Sequence, residues 1–248
     1  MTAWGVGMVF FSAALLFAFQ DPQVLDPRLE LQLVAAEPQI NPPVACSVDV
    51  KGRLWAIESN THFPPKNYKG HPTDRILVFG DFGPDGKAGK ITSFADGFRY
   101  TMSLAHAKNG DLYAATRWEI LILRDKDGDG VCDERVSVAK LETKGDYPHN
   151  GLCGLAFDAK GDLWFGMGEN LGLPYRLVGS DGRVIEGGGE GGNVFRARAD
   201  GAGLERIATG VWNPFHMTFD SLGRLFLGDN DPDSRPPCRL LHVVGGGA

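Results

Sequence analysis

The chain has 248 residues, 43% of them hydrophobic, with 25 Lys+Arg against 31 Asp+Glu for a formal net charge of −6. The acidic balance excludes the basic stripe of a nucleic-acid binder, and the apolar share excludes a disordered chain and suffices for a sizeable core. The 34 glycines and 15 prolines exceed average usage of about 7% and 5% and point to many short strands joined by turns.

Residues 3–19 form a nearly unbroken apolar run, AWGVGMVFFSAALLFAF, with no Lys or Arg before Arg28. Its length and terminal position predict a signal peptide or an uncleaved signal anchor over residues 1–20, followed by a linker over 21–28. The expected location is therefore exported, periplasmic or extracellular, with any membrane contact made through that anchor. Cys46, Cys132, Cys153 and Cys238 show no CxxC or zinc spacing, which leaves disulfides or small buried thiols.

From residue 29 onward one pattern recurs: an apolar strand, a turn with Gly, a charged residue, Leu and an aromatic. The copies are VDVKGRLWAIES from Val48, AHAKNGDLYAAT from Ala105, AFDAKGDLWFGM from Ala156 and TFDSLGRLFLGD from Thr218. Their turn glycines, Gly52, Gly110, Gly161 and Gly223, lie 58, 51 and 62 residues apart. Each copy reads as a hairpin, with glycine supplying the positive φ of the tight turn. Further strands fill the intervals, as in Ile76-Leu77-Val78-Phe79 and Ile120-Leu121-Ile122-Leu123. About four strands per repeat predict an all-β chain, a β-propeller of four-stranded blades over residues 29–248. About four blades are present, read as part of a larger ring, with residues 29–35 as a candidate closing strand. Trp55, Trp164 and Phe226 share one repeat position and read as core between blades.

Asp125, Asp127 and Asp129 before Gly130 match the first half of a calcium loop, with Asp133 at its ninth position. The twelfth position holds Val136 instead of a bidentate Glu, so the expected ion is structural. The run from Gly187 to Gly192 lacks the GK[ST] ending of a phosphate cradle and reads as an inter-strand loop.

Three segments are more specific: HNGLCGLAFDAKGDLWFGMGEN from His149, GGNVFRARADG from Gly191 and GVWNPFHMTFDSLGRLFLGDNDP from Gly210. They resemble the soluble PQQ-dependent sugar dehydrogenases and the sorbosone-dehydrogenase-like proteins. Closer still is the resemblance to the propeller of large planctomycete-type proteins, described as membrane-bound dehydrogenases, that often carry a haem-binding CxxCH module. The resemblance implies a six-bladed propeller with cofactor and substrate at the mouth of the central channel. It implies His149 as catalytic base and Glu169 as its orienting partner. Asn213 matches the Asn of an Arg-Asn-Pro motif that contacts the quinone, while Trp212 stands where that motif has Arg. Asn230, Asp231 and Pro232 overlie a stretch whose carbonyls bind the cofactor's calcium. No CxxCH occurs in this sequence, so the chain itself has no covalent haem site.

Histidine suits the base role because its ordinary pKa lies near neutrality. The resulting expectation is a quinone-dependent dehydrogenase acting on sugars or alcohols, with a cytochrome or haem domain as electron acceptor. The alternative is a non-catalytic propeller that binds glycans or partner proteins, which Trp212 favours. A purely structural scaffold ranks third.

Overall fold

Alternating apolar positions and positive-φ turn glycines make each repeat an antiparallel hairpin, and the hairpins grow outward into sheets. The computed structural model describes residues 22–230 and 238–246. The expected signal segment, Asp231 and Pro232 lie outside the described residues. Residues 1–32 and 33–248 are two separate units. In the first, the described part is a turn closed by Leu29 N donating to Asp26 O at 3.0 Å.

In the second unit, blade one runs β1 (Pro43–Val48), β2 (Leu54–Glu58), β3 (Asp74–Phe82) and β4 (Ala88–Phe98) in spatial order. Blade two follows with β5 (Thr101–His106), β6 (Leu112–Thr116), β7 (Glu119–Arg124) and β8 (Glu134–Thr143). Next come β9 (Leu152–Phe157), β10 (Leu163–Met167), a 3-10 turn at Asn170–Gly172 and the hairpin β11 (Tyr175–Gly179) with β12 (Val184–Gly187). β13 (Gly192–Ala197) and β14 (Glu205–Val211) then complete blade three in the order β9-β10-β13-β14. The inserted hairpin leaves its own blade: β11 pairs with β8 and extends blade two to six strands. Blade four contains β15 (His216–Phe219), β16 (Leu225–Asp229) and β17 (Arg239–Val243).

The result is an all-β propeller architecture, with the innermost strands β1, β5, β9 and β15 side by side. All four repeat hairpins are the inner pair of a blade, and their glycines have φ between 75° and 92°. Two-residue alternation splits each buried strand between two cores. In β6, Leu112 and Ala114 join the core shared with blade one, while Tyr113 and Ala115 join the core shared with blade three. A third core, around Val194, Met217 and Leu227, lies between blades three and four.

The recurring aromatic of each second strand reaches the last residue of the next blade's first strand. Trp55 meets His106 at 5.1 Å, Tyr113 meets Phe157 at 4.8 Å and Trp164 meets Phe219 at 5.6 Å, all edge-on. Phe226 instead lies against His242 within blade four.

The expected strand over residues 29–35 is not formed. Val34 and Ala35 instead pack with Ile40 on Ala56, Leu77 and Phe79, on the face of blade one turned away from blade two. Apolar side chains there fill a sheet face, and the segment turns at Ala36, where Gln39 N donates to Ala36 O. Its backbone meets a strand where Ala88 N donates to Val34 O at 3.3 Å. All four cysteines are free thiols. Among the described residues no helix is long and apolar enough to cross a membrane.

Candidate active site at the channel mouth

Because the strands alternate in direction, every blade has one end of hairpin turns and one end of longer connections. The β2–β3, β8–β9 and β14–β15 connections share the second end, and they bring the candidate residues together. His149 lies in the β8–β9 connection and is half-buried. Its Nδ1 is 2.8 Å from Nε2 of His62, which comes from the β2–β3 connection of blade one. Tyr147 meets the His149 ring edge-on at 4.6 Å, and Phe215 does so at 5.8 Å.

Phe215 also lines an inner cavity of about 280 Å³ with Val44, Met102, Ser103, Leu155 and His216. That lining draws on the innermost part of all four blades, so His149 stands beside the mouth of the central channel. His216 is exposed along this wall. A larger cavity of about 720 Å³ opens at the opposite end, between the turns of blades one and two. Four of its charged groups are spent on one another, Arg53 on Asp49 at 2.7 Å and Arg124 on Asp111 at 2.9 Å. The channel mouth is the stronger candidate.

Beneath His149 is a packed layer of amides and carboxylates. Asn150 Nδ2 donates to Glu169 Oε1, and Gly172 N donates to Glu169 Oε2 at 3.1 Å. Glu169 thus caps the 3-10 turn and holds the residue after His149, an indirect route to positioning it. Asn213 is fully buried. With its amide nitrogen turned to the acceptor side, Asn213 donates toward Asn150 Oδ1 at 3.2 Å, His149 O at 3.3 Å and Trp212 O at 3.1 Å. Gly168 is required beside it, because a Cβ there would collide with the Asn213 amide and the Asn150 backbone.

Asp229, at the end of β16, accepts from the backbone N–H groups of Trp212 and Asn213, both at 2.9 Å. Its other oxygen takes the guanidinium of Arg239. The same position in blade one is Glu58, paired at 2.6 Å with Arg75. In both blades the pair joins facing residues of the second and third strands.

Two further residues near this end, Arg117 and His62, were not singled out by the sequence. Arg117 is fully buried after β6, its NH2 donating to Asn170 Oδ1 at 3.0 Å. Burial pushes its pKa down from the ordinary guanidinium value, against the pull of Asp146 and Glu169. The signal for His62 is available in retrospect: it follows a second strand, in a connection on the same end as His149.

The calcium-like loop lies at the turn end, away from His149. Carboxylates of Asp125, Asp127 and Asp133 converge with ligand atoms within 4.8 Å of one another. Asp129 does not join them and instead accepts from Val131 N at 2.7 Å. Gly128 N and Gly130 N hold Asp125, and Lys126 N holds Asp133.

A family model described as a domain of unknown function, DUF7133, matches residues 22–242. The chain belongs to that family. No curated protein matches it. Among solved structures it is similar to a PQQ-bound aldose sugar dehydrogenase from Streptomyces coelicolor, with a TM-score of 0.57 and 16% identity over 84% of this chain and 61% of that one. It is also similar to a family AA12 carbohydrate-active enzyme from Trichoderma reesei, with a TM-score of 0.58 and 14% identity over 87% and 56%. The PQQ domain of pyranose dehydrogenase from Coprinopsis cinerea gives 0.54 and 10% over 82% and 48%. The chain thus spans less than two thirds of each neighbour, and at these identities the likeness establishes the DUF7133 fold as that of a propeller.

The mouth can be tested against an anionic quinone by the chemistry of its donors. A half-buried imidazole suits the reacting end. For the carboxylate end, Trp212 stands where the resembled dehydrogenases have arginine, Arg117 is fully buried, and Arg75 and Arg239 are each tied to a carboxylate, which leaves the exposed Lys66, Lys69, Arg99 and Lys144 on the connections at this end.

Proposed function

We propose that this chain is the histidine-bearing part of a propeller oxidoreductase acting on sugars or alcohols, with His149 as the general base. The observation that carries the reading is a half-buried imidazole beside a channel cavity walled by all four blades. His149 takes the hydroxyl proton of the substrate, and the amide layer of Asn150, Glu169 and Asn213 fixes the backbone that presents it. PQQ is the electron acceptor that the resemblance implies; at this end Lys66, Lys69, Arg99 and Lys144 are exposed on the connections and would be the basic residues available to its carboxylates. The reading also includes export, a cytochrome or haem partner, and a structural calcium held by Asp125, Asp127 and Asp133.

Trp212 supports a second reading, a propeller that binds glycans or proteins without turnover. The deciding experiment titrates purified protein with PQQ and calcium, then follows dye reduction over a panel of sugars and alcohols. Turnover that disappears in His149→Ala, with folding intact, is expected. Neither quinone binding nor turnover would leave the binding-module reading.

A further inference from the structure

His62 and His149 are 87 residues apart and meet through the tertiary fold alone. Their ring planes are 23° apart with centroids 5.1 Å apart. That separation equals the 2.8 Å N···N distance plus one imidazole radius on each side. The rings are therefore edge to edge and nearly coplanar, the arrangement of an in-plane N–H···N hydrogen bond. Phe63 meets His62 edge-on at 5.1 Å, while Tyr147 and Phe215 meet His149 from their own connections. Both rings are held by aromatic neighbours from three different connections.

We infer that His62 is the positioning residue of His149, a neutral imidazole in the role that a carboxylate has in a catalytic triad. The inference rests on His149 being the base, and the tautomer follows from the bond. One nitrogen of the pair donates and the other accepts. A base acting through Nε2 needs its proton on Nδ1, so His149 Nδ1–H donates to His62 Nε2, and His62 carries its own proton on Nδ1. When the substrate O–H bond breaks and an Nε2–H bond forms, His149 becomes an imidazolium. Its Nδ1–H bond to His62 is then charge-assisted and stronger, so His62 favours the state that follows proton uptake.

The test reads the tautomer directly. In ¹⁵N-histidine NMR of the protein, which has six histidines, His149 signals are assigned with His149→Gln. Wild type is expected to show Nδ1 protonated and Nε2 unprotonated. His62→Ala should shift His149 toward the Nε2–H form, and His62→Gln, whose amide oxygen can accept the same bond, should restore it. Where turnover is measurable, His62→Ala should lower kcat about tenfold or more with KM little changed, as loss of an orienting partner does. A His149 already protonated on Nε2, or a tautomer unchanged in His62→Ala, overturns the inference. The NMR result stands apart from turnover, so failure of the dehydrogenase reading and failure of the His62 role are distinguishable.

Discussion

The Tyr113 ring meets the Phe157 ring edge-on, 4.8 Å between centroids at 76°, across the joint between blades two and three. The contact is one copy of a joint repeated at Trp55–His106 and Trp164–Phe219. Tyr113 also donates from its hydroxyl to Ala199 O at 2.9 Å. Phe157→Ala removes the edge contact and opens the joint, and should cost about 2–3 kcal/mol. Tyr113→Phe keeps the rings and should cost about 1 kcal/mol, the net worth of one hydrogen bond. Urea unfolding of the two variants checks the order, and an equal effect would contradict it.

Among the described residues, Asp74 is the most heavily used carboxylate. It is fully buried and accepts from Asn60 N, Thr61 N and Thr101 N at 2.7, 2.9 and 2.8 Å, and also from the Thr61 and Thr101 hydroxyls. These bonds tie the β2–β3 connection, which carries His62, to the start of blade two. Asp74→Ala strands three backbone donors, each worth about 1–3 kcal/mol when buried, and should lower stability by more than about 3 kcal/mol. The His62–His149 bond should loosen with it, and the ¹⁵N-histidine spectrum checks that second effect.

Asp49 gives a stability term with a defined pH window. Burial alone would raise its carboxyl, but the Arg53 backbone and side chain, the Trp55 indole and Lys51 N outweigh that and hold it at about 2. Its folded pKa lies below the ordinary Asp value, so the stabilisation is complete above that ordinary value. It fades as pH falls through the folded value. Asp49→Asn should therefore be less stable than wild type near neutrality, and the gap should narrow to a small fraction of its neutral value between about pH 4 and pH 2. Urea midpoints across that range are the measurement, and a gap as large at pH 2 as at neutrality would count against the mechanism.

Calcium at the β7–β8 loop should appear as a concentration-dependent shift in melting temperature. A ligand at a hundred times its Kd adds about 2.7 kcal/mol. The shift should vanish in Asp127→Ala and persist in Asp129→Ala, because Asp129 lies outside the convergent group. Equal loss in both variants would mean that the loop does not bind through those three carboxylates.

The hairpins were legible because their information is local. Leu54-Trp55, Leu112-Tyr113, Leu163-Trp164 and Leu225-Phe226 follow a turn glycine at a fixed offset, and period-two alternation sets the faces. His149 was singled out through its motif, and the structure places its ring against His62, Tyr147 and Phe215. The strand expected over residues 29–35 failed for the complementary reason. Its alternation is that of a strand, yet those positions serve equally to cover a sheet face, as Val34 and Ala35 do.

The sequence by itself determined the repeat, the inner hairpin of each blade and the turn end where the aspartates gather. Only the tertiary structure decided that the β11–β12 hairpin joins blade two, because edge pairing depends on which free strand lies nearby. It also decided that Glu169 holds Asn150 and that Asp229 supports Trp212 and Asn213 from below. Above all it brought His62 to His149: hydrogen bonds between connections depend on how blades pack, and no spacing along the chain encodes that meeting.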